Sequence, residues 1–164
     1  MSRRYREGDW FAVPLDQGGY GVGCIARANP DGILLGYFFG PARTAVPNLS
    51  ELSSPSIADA VLVCRFGHLG LRQGTWPLIG AIASWDRRQL PIPEFGRMEE
   101  LSGRAFAVQY RDDDIGKVEN ERQISINELA PLPSDGLFGA VAVEKMLSNL
   151  LRSEVGGSIR WPMT

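Results

Sequence analysis

Residues 9–39 read DWFAVPLDQGGYGVGCIARANPDGILLGYFF, and this stretch decides the fold. Phe11, Val13 and Leu15 share one side of a strand from Asp9 to Leu15, and Trp10, Ala12 and Pro14 make the other side apolar too. Pro14 cannot donate to a ladder, so this strand lies at an edge or ends there. Asp16-Gln17-Gly18-Gly19 is a turn, after which Tyr20, Val22, Cys24 and Ala26 alternate along a second strand. Asn29-Pro30-Asp31-Gly32 is a stronger turn, because proline presets φ and glycine supplies positive φ. Ile33 to Phe39 is then almost continuously apolar, the pattern of a strand buried on both faces. Three strands joined by two short turns make a meander. Gly21, Gly23 and Gly36 inside it allow bulges and tight bends. The expected fold is α+β: a curved, mainly antiparallel sheet, with a partly open barrel as its most bent form, and one C-terminal helix packed on it.

Outward from the meander the pattern is looser. Residues 41–59 read as a long surface loop with room for one helical turn. Ala60 to Phe66 is another strand, Gly67 to Thr75 a connection, and Trp76 to Trp85 an apolar strand containing Gly80. Asp86 to Met98, with Pro91 and Pro93, reads as loop. Arg104 to Arg111 alternates, Asp112-Asp113-Asp114-Ile115-Gly116 turns, and Lys117 to Ile126 returns as a polar, solvated edge strand. Ser125-Ile126-Asn127-Glu128 has capping-box spacing and predicts a short helix ending near Pro131. A longer helix is predicted over Leu137–Arg152, its stripe formed by Leu137, Val141, Met146, Leu147, Leu150 and Leu151, with Glu144, Lys145, Ser148 and Asn149 off it and Gly156-Gly157 as its stop. The chain divides as one domain over residues 1–164: a tail at 1–7, a β-rich body at 8–126, the helix at 134–154 and a tail at 155–164.

The 164 residues suit one hydrophobic core without metal or disulfide staples. Seventeen Lys+Arg against 19 Asp+Glu give a net charge of -2, so no basic excess exists to hold a nucleic-acid backbone. The clusters Arg3, Arg4, Arg6 and Arg87, Arg88 read as solvated surface. No apolar stretch is long enough to span a bilayer, the N-terminus lacks an apolar signal core, and the two cysteines, Cys24 and Cys64, sit in apolar runs; the expected location is cytoplasmic.

The search for chemistry finds no constellation. His68 is the single histidine and has no ligand-spaced partners, so it reads as structural and no metal or cofactor is expected. Gly19-Tyr20-Gly21-Val22-Gly23 lacks the Lys-Ser/Thr ending of a phosphate loop and is followed by strand where a helix should start. Asp112, Asp113 and Asp114 lack the alternate ligand positions of a calcium loop, but as an acidic patch they suit a basic protein partner. Trp10, Trp76 and Trp85 are assigned to strands; Trp76 is expected in the core, and Trp85 is split between core and contact surface.

Gly8-Asp9-Trp10-Phe11-Ala12-Val13-Pro14-Leu15 resembles the opening "G-D-x-F-x-I-P-L" strand of the immunity protein 26 family of bacterial polymorphic toxin systems. The resemblance continues through Gly19–Gly23, Gly36–Phe39, Trp76-Pro77-Leu78-Ile79-Gly80, Leu90-Pro91-Ile92-Pro93-Glu94-Phe95, and Leu132-Pro133 before an amphipathic helix, from about Gly8 to Leu151. It implies a cytoplasmic, non-enzymatic antidote whose partner is a cognate toxin C-terminal domain, with no nucleic acid, membrane or cofactor. It supplies no contact residues; Asp112, Asp113, Asp114 and Trp85 are the partner-binding candidates from the residues themselves. Two other readings stay open: a small-barrel ribonuclease of the toxin–antitoxin kind, which the Gly8–Leu15 segment also faintly resembles, and a small-ligand-binding β-barrel.

Overall fold

The meander is the centre of a larger sheet. In the computed structural model, which describes residues 4–152, β1 (Asp9–Pro14), β2 (Tyr20–Ala28) and β3 (Ile33–Arg43) pair antiparallel. β4 (Ala60–Gly67) pairs with β3, and after α1 (Leu69–Gln73) the chain adds β5 (Leu78–Ala81) outside β1. β6 (Phe95–Met98), β7 (Ala105–Arg111) and β8 (Asp114–Ile124) form a separate three-stranded sheet. The capping box starts α2 (Ile126–Leu129), with the Ser125 hydroxyl accepting from the Glu128 amide. β9 (Leu137–Phe138) then joins the large sheet parallel to β4, and α3 (Ala140–Arg152) closes the described chain. The fold is α+β and mostly antiparallel; its six-stranded sheet, ordered β5-β1-β2-β3-β4-β9, stays open and does not close into a barrel.

The double-sided apolar pattern has a direct cause: the large sheet is covered on both faces. Trp10, Cys24, Leu35 and Tyr37 face the small sheet, meeting Phe95, Val108, Tyr110 and Ile115. Phe11, Ile25, Leu34, Phe38 and Phe66 face the other way, toward Trp76 and the α3 residues Val143, Leu147 and Leu151. The rings on this second face need space that two glycines provide. Gly23 lies opposite Phe11 on β1 and Phe38 on β3, whose rings meet edge-on above it at 5.7 Å. A Cβ on Gly23 would fall 2.5 Å from Phe11 Cζ, and one on Gly36 would fall 2.6 Å from Phe66 Cε1.

Several expectations need correction. The Trp76–Trp85 strand shortens to Leu78–Ala81, so Trp76 and Trp85 flank it; after Ile82 the chain turns through Ser84 at φ 56 and leaves the sheet. The Asp86–Met98 loop hides β6, whose four residues are too few to show a period. Leu137 pairs in β9 and does not belong to the helix. On α3 the buried stripe is Val143, Leu147 and Leu151 with Ser148, whereas Val141 is 65% exposed. Ser148 is drawn inward because its hydroxyl accepts from the Asp16 amide at 2.8 Å, capping the β1–β2 turn. The Gly156-Gly157 stop lies outside the described residues. Among those residues, no helix is long and apolar enough to cross a membrane.

Crowding a filled core forces side chains off their rotamers. Gly23→Ala and Gly36→Ala should each cost about 1–3 kcal/mol in urea unfolding. Gly67→Ala, where the new methyl meets nothing within 4 Å, should cost nothing measurable.

Candidate functional site

A charge inside an apolar strand organises one surface of the molecule. Arg27 follows Cys24-Ile25-Ala26 on β2 and is only 5% exposed. A guanidinium does not give up its proton inside a protein, so its donors must find acceptors. Nη1 donates to the carbonyls of Ala26 at 2.6 Å and Leu90 at 3.1 Å, and Nη2 to that of Arg87 at 3.4 Å. Nε donates to Asp112 Oδ1 at 2.9 Å. One side chain therefore ties β2 to the 87–90 turn and to the β7–β8 turn.

Asp112 and Trp85 are joined through Glu7, which no sequence pattern marks, and Arg87, which the sequence presents as solvated surface. Arg87 Nη1 donates to the second Asp112 carboxylate oxygen at 2.5 Å, and its Nη2 to the Asp112 carbonyl at 2.6 Å. Arg87 Nε donates to Glu7 Oε1 at 3.0 Å, and the Trp85 indole N–H reaches the same oxygen at 3.4 Å. Trp85 is half-buried, and its ring lies so close over Gly8, at φ 86, that a Cβ there would sit 2.7 Å from Trp85 Cγ. The signal that could have found the site is Arg27, a charge interrupting an apolar strand; Arg87 shows in the sequence as half of the Arg87, Arg88 pair.

The three aspartates have different neighbours. Asp112 answers the buried Arg27 as well as Arg87. Asp114 accepts from the Asn29 side-chain amide at 3.0 Å and the Gly116 amide at 2.9 Å, and both bonds hold its carboxyl below the usual range. Asp113 points outward with its side chain 70% exposed, in a two-pronged pair with Arg111 at 2.8 and 2.7 Å that lowers its pKa. Beside it an open depression of about 500 Å³ is lined by Arg111, Asp112, Asp113, Val118 and Glu119. Val118 is 50% exposed there, an apolar contact among charges. The patch is thus not purely acidic: Arg87, Arg111 and Lys117 are interleaved with its carboxylates.

The remaining candidates are placed elsewhere. Cys24 and Cys64 are buried, and burial pushes both thiols well up, away from the reactive thiolate. His68 Nδ1 lies 2.7 Å from the Tyr5 hydroxyl. Among the described residues, no three His, Cys, Asp or Glu side chains gather as metal ligands.

A family model described as "Immunity protein 26" matches residues 6–107. It takes in Glu7, Arg27, Trp85 and Arg87 and stops before Asp112 and α3. No curated protein and no solved structure matches the chain.

Removing Asp112 leaves the buried Arg27 without its carboxylate. Because Asp112 itself is 62% exposed, water softens the loss, and Asp112→Ala should cost about 2 kcal/mol in chemical denaturation. Asp113→Ala, which breaks only an exposed pair, should leave the midpoint unchanged. Equal midpoints for the two variants would contradict the division of roles.

Proposed function

The chain belongs to the immunity protein 26 family, and we propose that it binds and neutralises a cognate bacterial toxin domain in the cytoplasm, by occupying it and without catalysis. The observation that carries this reading is the preassembled surface formed by Trp85, Arg87 and the β7–β8 turn. Arg27 and Glu7 fix those groups before any partner arrives, so binding loses little side-chain freedom. Tryptophan and arginine are the side chains that most often dominate such contacts. Asp113 offers a carboxylate at the outermost point of the turn, with Val118 beside it. An exposed pair such as Asp113–Arg111 is weak, so a basic group on the partner exchanges with Arg111 at small cost. A tight inhibitor interface buries roughly 1,200–2,000 Å² in total, which this turn anchors and the flanking surface completes.

Expressed alone, the chain should be harmless; co-expressed with a toxin domain from a neighbouring reading frame, it should restore growth. In stopped-flow binding to that domain, Asp113→Lys should slow association by about tenfold at low salt and flatten its salt dependence. Trp85→Ala should act mainly on dissociation. Wild-type kinetics in both variants would move the contact surface elsewhere, and absence of any complex would refute the antidote role.

A further inference from the structure

A second polar centre has a lining that includes none of Trp85, Arg87 and Asp112. Arg4, Tyr5, Asn29, Pro30, His68 and Arg72 line a cleft of about 720 Å³, with Ala28 and Leu71 as its apolar part. The volume falls in the range of small-molecule sites. Arg87, Arg88, Arg97, Arg111 and Arg122 each meet a carboxylate. Neither the Arg4 nor the Arg72 guanidinium meets one among the described residues, and no Asp or Glu lines the cleft. Both cations act on the Tyr5 hydroxyl, which burial pushes up and their charges pull down.

The wall between the two arginines is ordered. Tyr5 and His68 meet edge-on with ring centres 5.7 Å apart, their hydroxyl and Nδ1 in hydrogen-bond contact. Gly32, at φ 82, lets the imidazole lie against the β2–β3 turn; a Cβ there would fall 2.6 Å from His68 Nε2. The groups facing His68 are Arg72 from α1, Tyr5 and Arg4 from the N-terminal segment, and the β2–β3 turn. That turn's Asn29 is engaged with Asp114, Ile33 and Asp31, and its exposed carboxylate, Asp31, is not part of the lining. Burial first, and the Arg72 charge second, lower the His68 pKa.

We propose that this cleft binds a phosphate group, free or carried by a small phosphomonoester, with Arg4 and Arg72 as its counter-charges and the Tyr5–His68 pair as its polar wall. Two guanidiniums that meet no carboxylate among the described residues match a dianion, and the planar fork of arginine suits phosphate oxygens. The space beyond one phosphate, against Ala28 and Leu71, takes a small organic portion. The cleft does not share Trp85, Arg87 or Asp112 with the proposed contact surface, but its Asn29 donates to Asp114 at the edge of that surface.

His68 is the single histidine of the chain, so its imidazole proton resonance reports on the cleft without ambiguity. The chain should be titrated by NMR with inorganic phosphate, with ribose 5-phosphate and with sodium chloride at matched ionic strength. The two phosphates should give saturable shifts and raise the His68 pKa, since a bound anion favours the imidazolium. Tighter binding of the ester would assign the organic portion to the cleft, and equal binding would assign phosphate alone. Arg72→Gln, at an exposed position, should keep the fold by circular dichroism and weaken the phosphate response by about tenfold. Non-saturating shifts, shifts reproduced by chloride, or an unaltered response in Arg72→Gln would overturn the proposal.

Discussion

The architecture depends on giving the buried guanidinium of Arg27 enough partners. A charge on an interior strand is tolerated only where acceptors surround it, and those acceptors come from β2, the 87–90 turn and the β7–β8 turn. The requirement fixes where the small sheet docks and which way its turn faces. Arg65 on β4 makes a parallel connection. It lies over the Tyr110 ring at 3.8 Å and donates to the Ile115 carbonyl, while the Tyr110 hydroxyl donates to Asp135 at 2.5 Å. Two arginines of the large sheet thus specify the position of the small one, and the apolar contacts between them supply the adhesion.

The opposite face of the large sheet is held by shape. Phe11, Phe38, Phe66 and Trp76 form a group whose contacting rings have centres 5.5–5.9 Å apart, with Phe11 and Trp76 stacked in nearly parallel planes, 5° apart in tilt. The Trp76 indole N–H is satisfied by Glu144 on α3 at 2.8 Å, which ties the ring cluster to the helix. An anchored ring cluster under one face and an ionic lock over the other leave the Trp85 surface little freedom to rearrange. That rigidity supports the proposed binding role.

How much of this was legible in the sequence follows from the range of each interaction. The meander, its turns and the Ser125 capping box were readable because alternation, Pro-Asp-Gly chemistry and cap spacing are local. β6 and β9 were not, because strands of four and two residues carry no period and form only where a neighbour offers an edge. The α3 stripe is legible at Leu147 and Leu151, but Ser148 is buried in it because its hydroxyl serves a turn 132 residues away. At the site, Trp85 and Asp112 were legible as residue types, but their connection runs through Glu7, which no local rule marks, and Arg87, whose basic pair with Arg88 reads as solvated surface. Arg27 was the available signal: a charge in an apolar strand calls for a distant counter-charge.

Family membership and the fixed Trp85 surface lead to one central claim, that this protein acts by occupying its partner. The most direct test is a titration of the purified chain into a fixed amount of an active toxin domain that binds it, with residual toxin activity as the readout. Occupancy predicts a linear fall that ends at one equivalent of chain and returns when the complex is dissociated. Loss of activity at a small fraction of an equivalent, continuing with time, would show turnover and contradict the account.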